Sequence, residues 1–338
     1  MTAAGGPSTL EDVAARAGVS RATVSRVVNG SPRVSDEARR AVEAAVAELG
    51  YTPNRAARSL AGSRSETIAL VVSEPSVRLF ADPFFAATTL GVTRALAATR
   101  YQLVLMMTQS DADRARAEAH LLRGGTDGVL LLSARAGDPL AGRLAGAGVP
   151  TVVAGRPPAG AAVGFVDADN AGGARTAVDH LVAGGHWVIG TVAGPADMAP
   201  GRDRRAGWAA ALAAAGRPAP DDLVAEADFT REGGALATRA LLRRRPDLDG
   251  LFVASDLMAL GALDALRAAG RRVPGQVAVV GFDDTELARS ADPPLTTVRQ
   301  PIEELGHEMA TLLLAQIEEG AAPAGVVLRT ELVVRRSA

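Results

Sequence analysis

The sequence predicts a small all-α head joined by a short linker to an α/β body built from two similar halves. Three observations carry this. The first fifty residues hold three short amphipathic stretches of helical period, enough for one small core. From Thr67 onward, continuous apolar runs alternate with alanine-rich helical stretches, the pattern of parallel strands covered on both faces. The runs number about eleven, too many for one compact doubly wound unit, so two are expected.

The head comes first. In TLEDVAARAGVSRATVSRVVN (9–29), Leu10, Val13, Ala14 and Ala17 fall at i, i+3, i+4 and i+7 and give the first helix one apolar face. Thr9 stands at its N-cap, with Asp12 three residues on as a capping-box partner. Gly18 supplies the turn, because glycine alone takes positive φ without penalty. Ser20 caps a second helix. Its Val24, Val27 and Val28 point one way, and Arg21, Ala22, Ser25, Arg26 and Asn29 the other. That outer face offers guanidinium groups for guanine edges and phosphates, and small hydroxyl and amide groups for the backbone, as a helix-turn-helix reading helix does. An ordinary helical hairpin would show the same Gly-centred spacing, so the downstream sequence decides between them. A third helix is capped by Ser35, carries Asp36 and Glu37 in its first turn, presents Val42, Ala45, Val46 and Leu49, and ends at Gly50.

Pro53 breaks the chain and Asn54 can cap a helix of roughly 55–61. That segment is too short to stand alone, since isolated helices need about 12–15 residues. It is expected to gain order only against a partner.

In the body, strands are expected at 68–73, 102–107, 128–133, 150–155, 187–194, 223–229, 251–255 and 277–282. Helices are expected between them, one opened by Asp82 as N-cap with Pro83 at the first position. The last part, LTTVRQP, a helix of 302–319 and VVLRTELVV, breaks simple alternation and is expected to cross between the halves. Ligands of open parallel sheets bind at the carboxyl ends of strands. The polar groups expected there are Ser73–Glu74, the Asp82-Pro83-Phe84-Phe85 start, Arg202 to Arg205, Asp228–Phe229, Ser255–Asp256 and Asp283–Asp284. Any one of these is as readily a helix cap. Together, carboxylates and a guanidinium facing an aromatic ring suit a sugar.

Composition narrows the classes. The 338-residue chain has net charge −2 and no cysteine, and its 36 basic residues are all arginine. Disulfides, thiolate nucleophiles and cysteine zinc sites are therefore excluded. Residues 1–64 carry nine arginines against six acids (+3) and the rest 27 against 32 (−5), a basic head on an acidic body that suits nucleic-acid contact at one end. The N-terminal MTAAGGPSTLEDVA has neither the basic nor the apolar region of an export signal. No apolar run approaches a membrane span of about 20 residues, so a cytoplasmic protein without membrane contact is expected. His120, His180, His186 and His307 lack serine or carboxylate partners at telling spacing, and there is neither a GxGxxG after a strand nor a P-loop. No enzyme activity, metal or cofactor is expected.

The string TLEDVAARAGVSRATVSRVVNG, VSDEAR and ELGYTPNRAARSLAG strongly resembles the N-terminus of the lactose-repressor (LacI) family of bacterial transcription regulators. The likeness continues through HLVAGGHWVIGTVAGP, RAGW, VASDLMALGALDAL, VPGQVAVVGFDD and PPLTTVRQP. The head motif is specific; the body motifs are shared in outline with periplasmic sugar-binding proteins. The resemblance implies a helix-turn-helix DNA-binding domain at 1–52, a hinge helix and linker at 53–65, and a periplasmic-binding-protein-like effector domain at 66–338 of two Rossmann-like subdomains. The first is expected at about 66–165 plus 298–322, the second at about 166–294 plus 325–336.

It also implies a homodimer on a near-palindromic operator. Arg21, Ala22 and Arg26 match base-reading positions, Arg26 being the best match to guanine. Thr9, Ser20, Thr23, Ser25, Asn29 and Ser35 match backbone-contacting or capping positions. Leu60 matches a leucine that wedges into the minor groove, with Asn54, Ala57 and Ala61 near it. The effector positions map onto Phe84, Phe85, Arg204, Phe229, Ser255, Asp256 and Asp283, with Phe229 as the stacking aromatic. The implied partners are operator DNA and a small-molecule effector, a sugar or polyol, with a purine or other metabolite as the alternative. Whether the effector induces or corepresses stays open.

Overall fold

The computed structural model describes residues 8–28, 31, 33–51, 65–157 and 160–338. It divides into two compact units, 1–65 and 66–338.

The head consists of α1 (Leu10–Ala17), α2 (Arg21–Val28) and α3 (Asp36–Leu49) around Val13, Val24 and Val42, all fully buried, with Ala45 and Tyr51 closing the core. Its caps are those the sequence implied. Thr9 accepts from the Asp12 amide at 3.2 Å while the Asp12 carboxylate accepts from the Thr9 amide at 2.8 Å. Gly18 ends α1 at φ 66°, and Ser35 caps α3. Asn29, Asn54, Ala57, Leu60 and Ala61 lie outside the described residues.

The body holds two six-stranded sheets. The first contains β1 (Thr67–Val72), β2 (Gln102–Met107), β3 (Gly128–Leu132), β4 (Thr151–Ala154), β5 (Gly164–Ala168) and β11 (Gly325–Leu328), in the order β11-β5-β4-β3-β1-β2, every pair parallel. The second contains β6 (Ile189–Ala193), β7 (Val224–Glu226), β8 (Gly250–Val253), β9 (Ala278–Asp283), β10 (Thr296–Arg299) and β12 (Glu331–Val333), in the order β12-β10-β9-β8-β6-β7, parallel except where β12 meets β10.

The helices are α4 (Ser76–Ala81), α5 (Pro83–Leu96), α6 (Asp111–Leu122), α7 (Leu140–Gly146), α8 (Asn170–Ala183), α9 (Ala199–Ala214), α10 (Arg231–Arg244), α11 (Asp256–Ala268), α12 (Glu286–Ser290) and α13 (Ile302–Glu319). Helix pairs α5–α13 and α10–α11 cross at glycine: a Cβ on Gly91 would collide with the Glu303 carbonyl, and one on Gly261 with the Arg231 carbonyl. The close approach exists only because those side chains are hydrogen.

Three segments cross between the sheets, after Ala168, Arg299 and Leu328, and the boundaries differ from those expected. The sequence reading ended the first half at 165 and placed 325–336 wholly in the second. Instead Val166–Ala168 complete β5 in the first sheet, and Gly325–Leu328 pair with β5 there. Residues 298–299, expected in the first half, belong to β10 in the second. The apolar residues of VVLRTELVV fit either sheet; only the free edge beside β5 decides where the first strand docks. Two elements were not anticipated. In β5 only Phe165 and Val166 are large and apolar, and α4 lies in a segment the sequence reading left between a strand end and the Asp82 cap.

Candidate functional site

The face of α2 in the head is as expected. Arg21, Ala22 and Arg26 are exposed, while Val24 and Val27 anchor the opposite side. Arg21 lies 3.1 Å from Glu11, with both side chains more than half exposed, so the pair is loose enough to exchange Glu11 for another acceptor. Ser20 and Thr23 share a 2.9 Å hydroxyl contact, and the Thr9 hydroxyl donates to Asp12 at 2.7 Å. Thr9, Ser20 and Ser35 therefore have capping work already, and a phosphate would meet them as shared rather than idle groups.

In the body, the carboxyl ends of both sheets enclose a cavity which, with its mouth, holds about 710 Å³. Phe84, Arg204, Phe229, Ser255 and Asp283 line it. Arg204, on α9, is 4% exposed. Its Nε donates to Asn170 Oδ1 at 2.8 Å and its Nη1 to the Ala254 carbonyl at 2.6 Å, with Asp283 Oδ1 at 3.4 Å. The guanidinium stacks 3.7 Å from the Phe282 ring centroid. Burial pushes its pKa down, and the Asp283, Asp167, Asp256 and Asp82 carboxylates oppose the shift. Burial pushes Asp283 up to about 7, against the pull of Arg204. Gln300 Nε2 donates to the same Asp283 oxygen.

The cavity wall is strained. Ser133, Phe229 and Asp283, all lining it, have φ of 59°, 62° and 119°, and Asp284 follows at 56°. Side chains rarely adopt these angles; each costs about 1–3 kcal/mol and persists only where surroundings hold it. At 283–284 the hold is visible. The Asp284 side chain is fully buried among Arg299 (2.7 Å), Arg335 and Arg289 (3.9 Å).

Two expected effector residues, Phe85 and Asp256, do not line the cavity. Phe85 is 2% exposed and belongs to the first-half core, its ring edge-on to Phe84 at 5.5 Å. Asp256 is fully buried behind the cavity and accepts from Thr297 Oγ1 (2.6 Å), the Thr285 amide (2.8 Å) and Thr285 Oγ1 (3.1 Å), tying α11 to β10 and the turn after β9. Burial, then the neighbouring Asp283 charge, raises its pKa. Ser255 reaches the cavity while accepting from the Met258 amide as the α11 N-cap. Phe229 packs onto Gly194 on one side and is covered by the Arg78 guanidinium, 4.9 Å from its centroid, on another. The ring is 4% exposed, so little of it faces the cavity.

Sequence reading missed Arg78, Arg156, Asp167, Asn170 and Gln300, which also line the cavity. The run VDADN at the end of β5 was the available signal for two of them. At the lip, Arg135 Nη1 lies 2.9 and 2.8 Å from the two Asp197 oxygens, and the Ala136 amide donates to the Asp197 carbonyl at 2.7 Å. These contacts join the first half to the second across the mouth. Among the described residues there is no cluster able to hold a metal ion and no helix long and apolar enough to cross a membrane.

Two family models match the chain: bacterial regulatory proteins of the lacI family over residues 9–54, and a periplasmic binding protein-like domain over 178–338. The chain is 51% identical to the HTH-type transcriptional regulator CelR of Thermobifida fusca, over 97% of this chain and 98% of that protein. Among solved structures it is similar to a CelR–cellobiose complex (TM-score 0.79, 49% identity, 98% of this chain and 100% of that one). It is also similar to the lac repressor dimer bound to operator and the anti-inducer ONPF (TM-score 0.84, 32% identity, 98% and 99%).

Proposed function

The chain belongs to the LacI family of bacterial transcription regulators, and from that premise we propose that it grips a near-palindromic operator as a dimer and lets go, or tightens, when a neutral saccharide fills the body cavity. It is a regulator and not an enzyme.

The observation that carries the ligand reading is Arg204 held between Asn170 and Asp283 in a buried cavity at the strand ends of both sheets. Donors and acceptors alternate there, and the cavity's arginines face carboxylates, so a hydroxylated neutral ligand fits better than an anion. The relative solved with cellobiose supports the saccharide class.

For the DNA side, Arg26 and Arg21 read bases, Ala22 offers only a methyl contact, and Thr9, Ser20, Thr23, Ser25, Asn29 and Ser35 meet the backbone. Residues 53–65 form the hinge, with Leu60 as the wedge and Asn54, Ala57 and Ala61 beside it; ligand-driven change in the body reaches DNA through that segment. A dimer is supported by the lac repressor dimer on operator and by apolar surface that one chain leaves bare: Leu90, Val104 and Leu105 are 44%, 42% and 46% exposed. Acting on DNA, the protein works in the cytoplasm.

The test is operator binding by fluorescence anisotropy with and without a saccharide panel, after a thermal-shift screen to find the ligand. A saccharide that raises the melting temperature and shifts operator affinity is expected. Operator binding that no saccharide alters would reject the ligand reading, and Arg26→Ala weakening all sequences equally would make Arg26 a phosphate contact.

A further inference from the structure

The buried hydrogen-bonding groups in the cavity are not equally satisfied. Arg204 in the second half has Nε and Nη1 engaged by Asn170, Ala254 and Asp283. Across the cavity, two first-half residues are less fully engaged. Arg78, 8% exposed, has no hydrogen-bond partner for Nε or Nη1, and Asp167, 3% exposed, has none for Oδ2. Both line the cavity. Unsatisfied buried polar atoms are rare in folded proteins, and several along one wall mark an absent partner.

The way Arg78 is held leaves its Nε donor open, while Nη1 lies against Glu74. Its guanidinium lies over Phe229 at 4.9 Å and over Phe85 at 5.5 Å, and stacking fixes the plane without using an N–H. Glu74, one turn earlier and 3% exposed, sits against Nη1 and balances the charge, although the contact lacks hydrogen-bond geometry. Asp167 spends Oδ1 on the Ala168 amide and on Asn170 Nδ2, both within 2.9 Å, while Arg156 Nε stands 3.5 Å from Oδ2 and balances its charge.

We propose that Arg78 and Asp167 form a second ligand-contacting station on the first-half wall, which takes hydroxyl groups of the saccharide and selects neutral sugars over sugar acids and phosphates. Arg78 donates to a hydroxyl oxygen and Asp167 accepts a hydroxyl proton. A hydroxyl is the group that both gives and takes, so it satisfies the two together. Each residue already carries its own counter-ion, Glu74 or Arg156, and Asp82 adds a further buried carboxyl to the lining, so the wall has no net positive charge to offer a carboxylate or phosphate. Contacts on both walls also make the ligand a bridge between the halves. This inference rests on the saccharide reading above and adds residues to it.

The test uses the full chain and isothermal titration with glucose, ribose, cellobiose, maltose and xylobiose, then with glucuronate and glucose 6-phosphate. For whichever neutral sugar the unmodified protein binds, Asp167→Asn and the paired change Glu74→Gln with Arg78→Met should each weaken binding about tenfold or more, the value of one or two hydrogen bonds to charged groups. The paired change removes both buried charges together, so folding, followed by circular dichroism, is kept. Glu74→Gln alone leaves Arg78 uncompensated and should raise affinity for glucuronate relative to the neutral sugar by about fivefold or more. A purely structural pair would not alter that ratio. Neutral-sugar affinity within about twofold of the unmodified protein in the paired variant, or an unchanged ratio in Glu74→Gln, overturns the station while leaving the saccharide reading in place. An unmodified protein that binds none of the neutral sugars overturns both.

Discussion

Gln300 Nε2 donates to Asp283 Oδ1 at 2.5 Å, and Gln300 lies on the second of the three segments that cross between the sheets. One hydrogen bond thus joins a cavity carboxylate to the chain about which the halves would turn. Gln300→Ala should leave ligand affinity within about tenfold but shrink the ligand-induced change in operator affinity toward none, since coupling energies of this kind are about 1–3 kcal/mol. Anisotropy titrations with and without saturating saccharide check this. Affinity lost with coupling intact would make Gln300 an ordinary ligand contact.

Asp283 gives a pH dependence whose sign follows from its burial. Its pKa rises from 3.8 to about 7 on folding. Between those values the folded chain holds a proton that the unfolded chain has released, so its contribution to stability falls as pH rises through that window. Asp283→Asn cannot ionise and should flatten the decline. Urea midpoints compared at pH 5 and pH 8 read the difference; an equal slope in both proteins would place the proton elsewhere.

The Asp284 carboxylate is fully buried among Arg299, Arg335 and Arg289, whose own side chains are 46%, 15% and 55% exposed. Asp284→Ala should destabilise by about 2–3 kcal/mol, the range for charged hydrogen bonds, since the arginines can turn to water. The strained pair at 283–284 would also relax, so ligand affinity should fall although Asp284 does not line the cavity. Denaturation and titration of the same variant separate the two losses; a variant that loses stability alone would show that the turn holds itself.

Gly91 tests the helix crossing under the first sheet. An added methyl would meet the Glu303 carbonyl, which is backbone and cannot swing away. Gly91→Ala should lower stability by about 1–3 kcal/mol, as overpacking does, against the gain in helix propensity that alanine brings. A higher melting temperature would mean that α5 and α13 separate more easily than their packing suggests.

Much of the architecture was legible because local rules govern it. Thr9, Gly18, Ser35 and Asp82 do at their helix ends what their chemistry allows, and the period-3.6 and continuous apolar patterns marked most helices and strands. What escaped was non-local. Strand β5 has two large apolar residues, too weak a signal to see, yet its end brings Asp167 to the cavity and its edge captures β11. Phe85 and Asp256 sit next in sequence to cavity-lining Phe84 and Ser255, but adjacent residues of a helix point to different sides, and only packing shows which side is core.

The sequence by itself determined the kind of protein: a basic helical head with a guanidinium-bearing face, and two parallel α/β halves with polar strand ends, since caps, periodicity and charge act over a few residues. Tertiary structure alone decided which sheet each crossing strand joins, which carboxylates face the cavity and which the core, and that Arg78 covers Phe229. Those outcomes depend on groups tens to hundreds of residues apart coming within hydrogen-bonding or stacking reach, where burial changes both their pKa and their freedom to take a ligand.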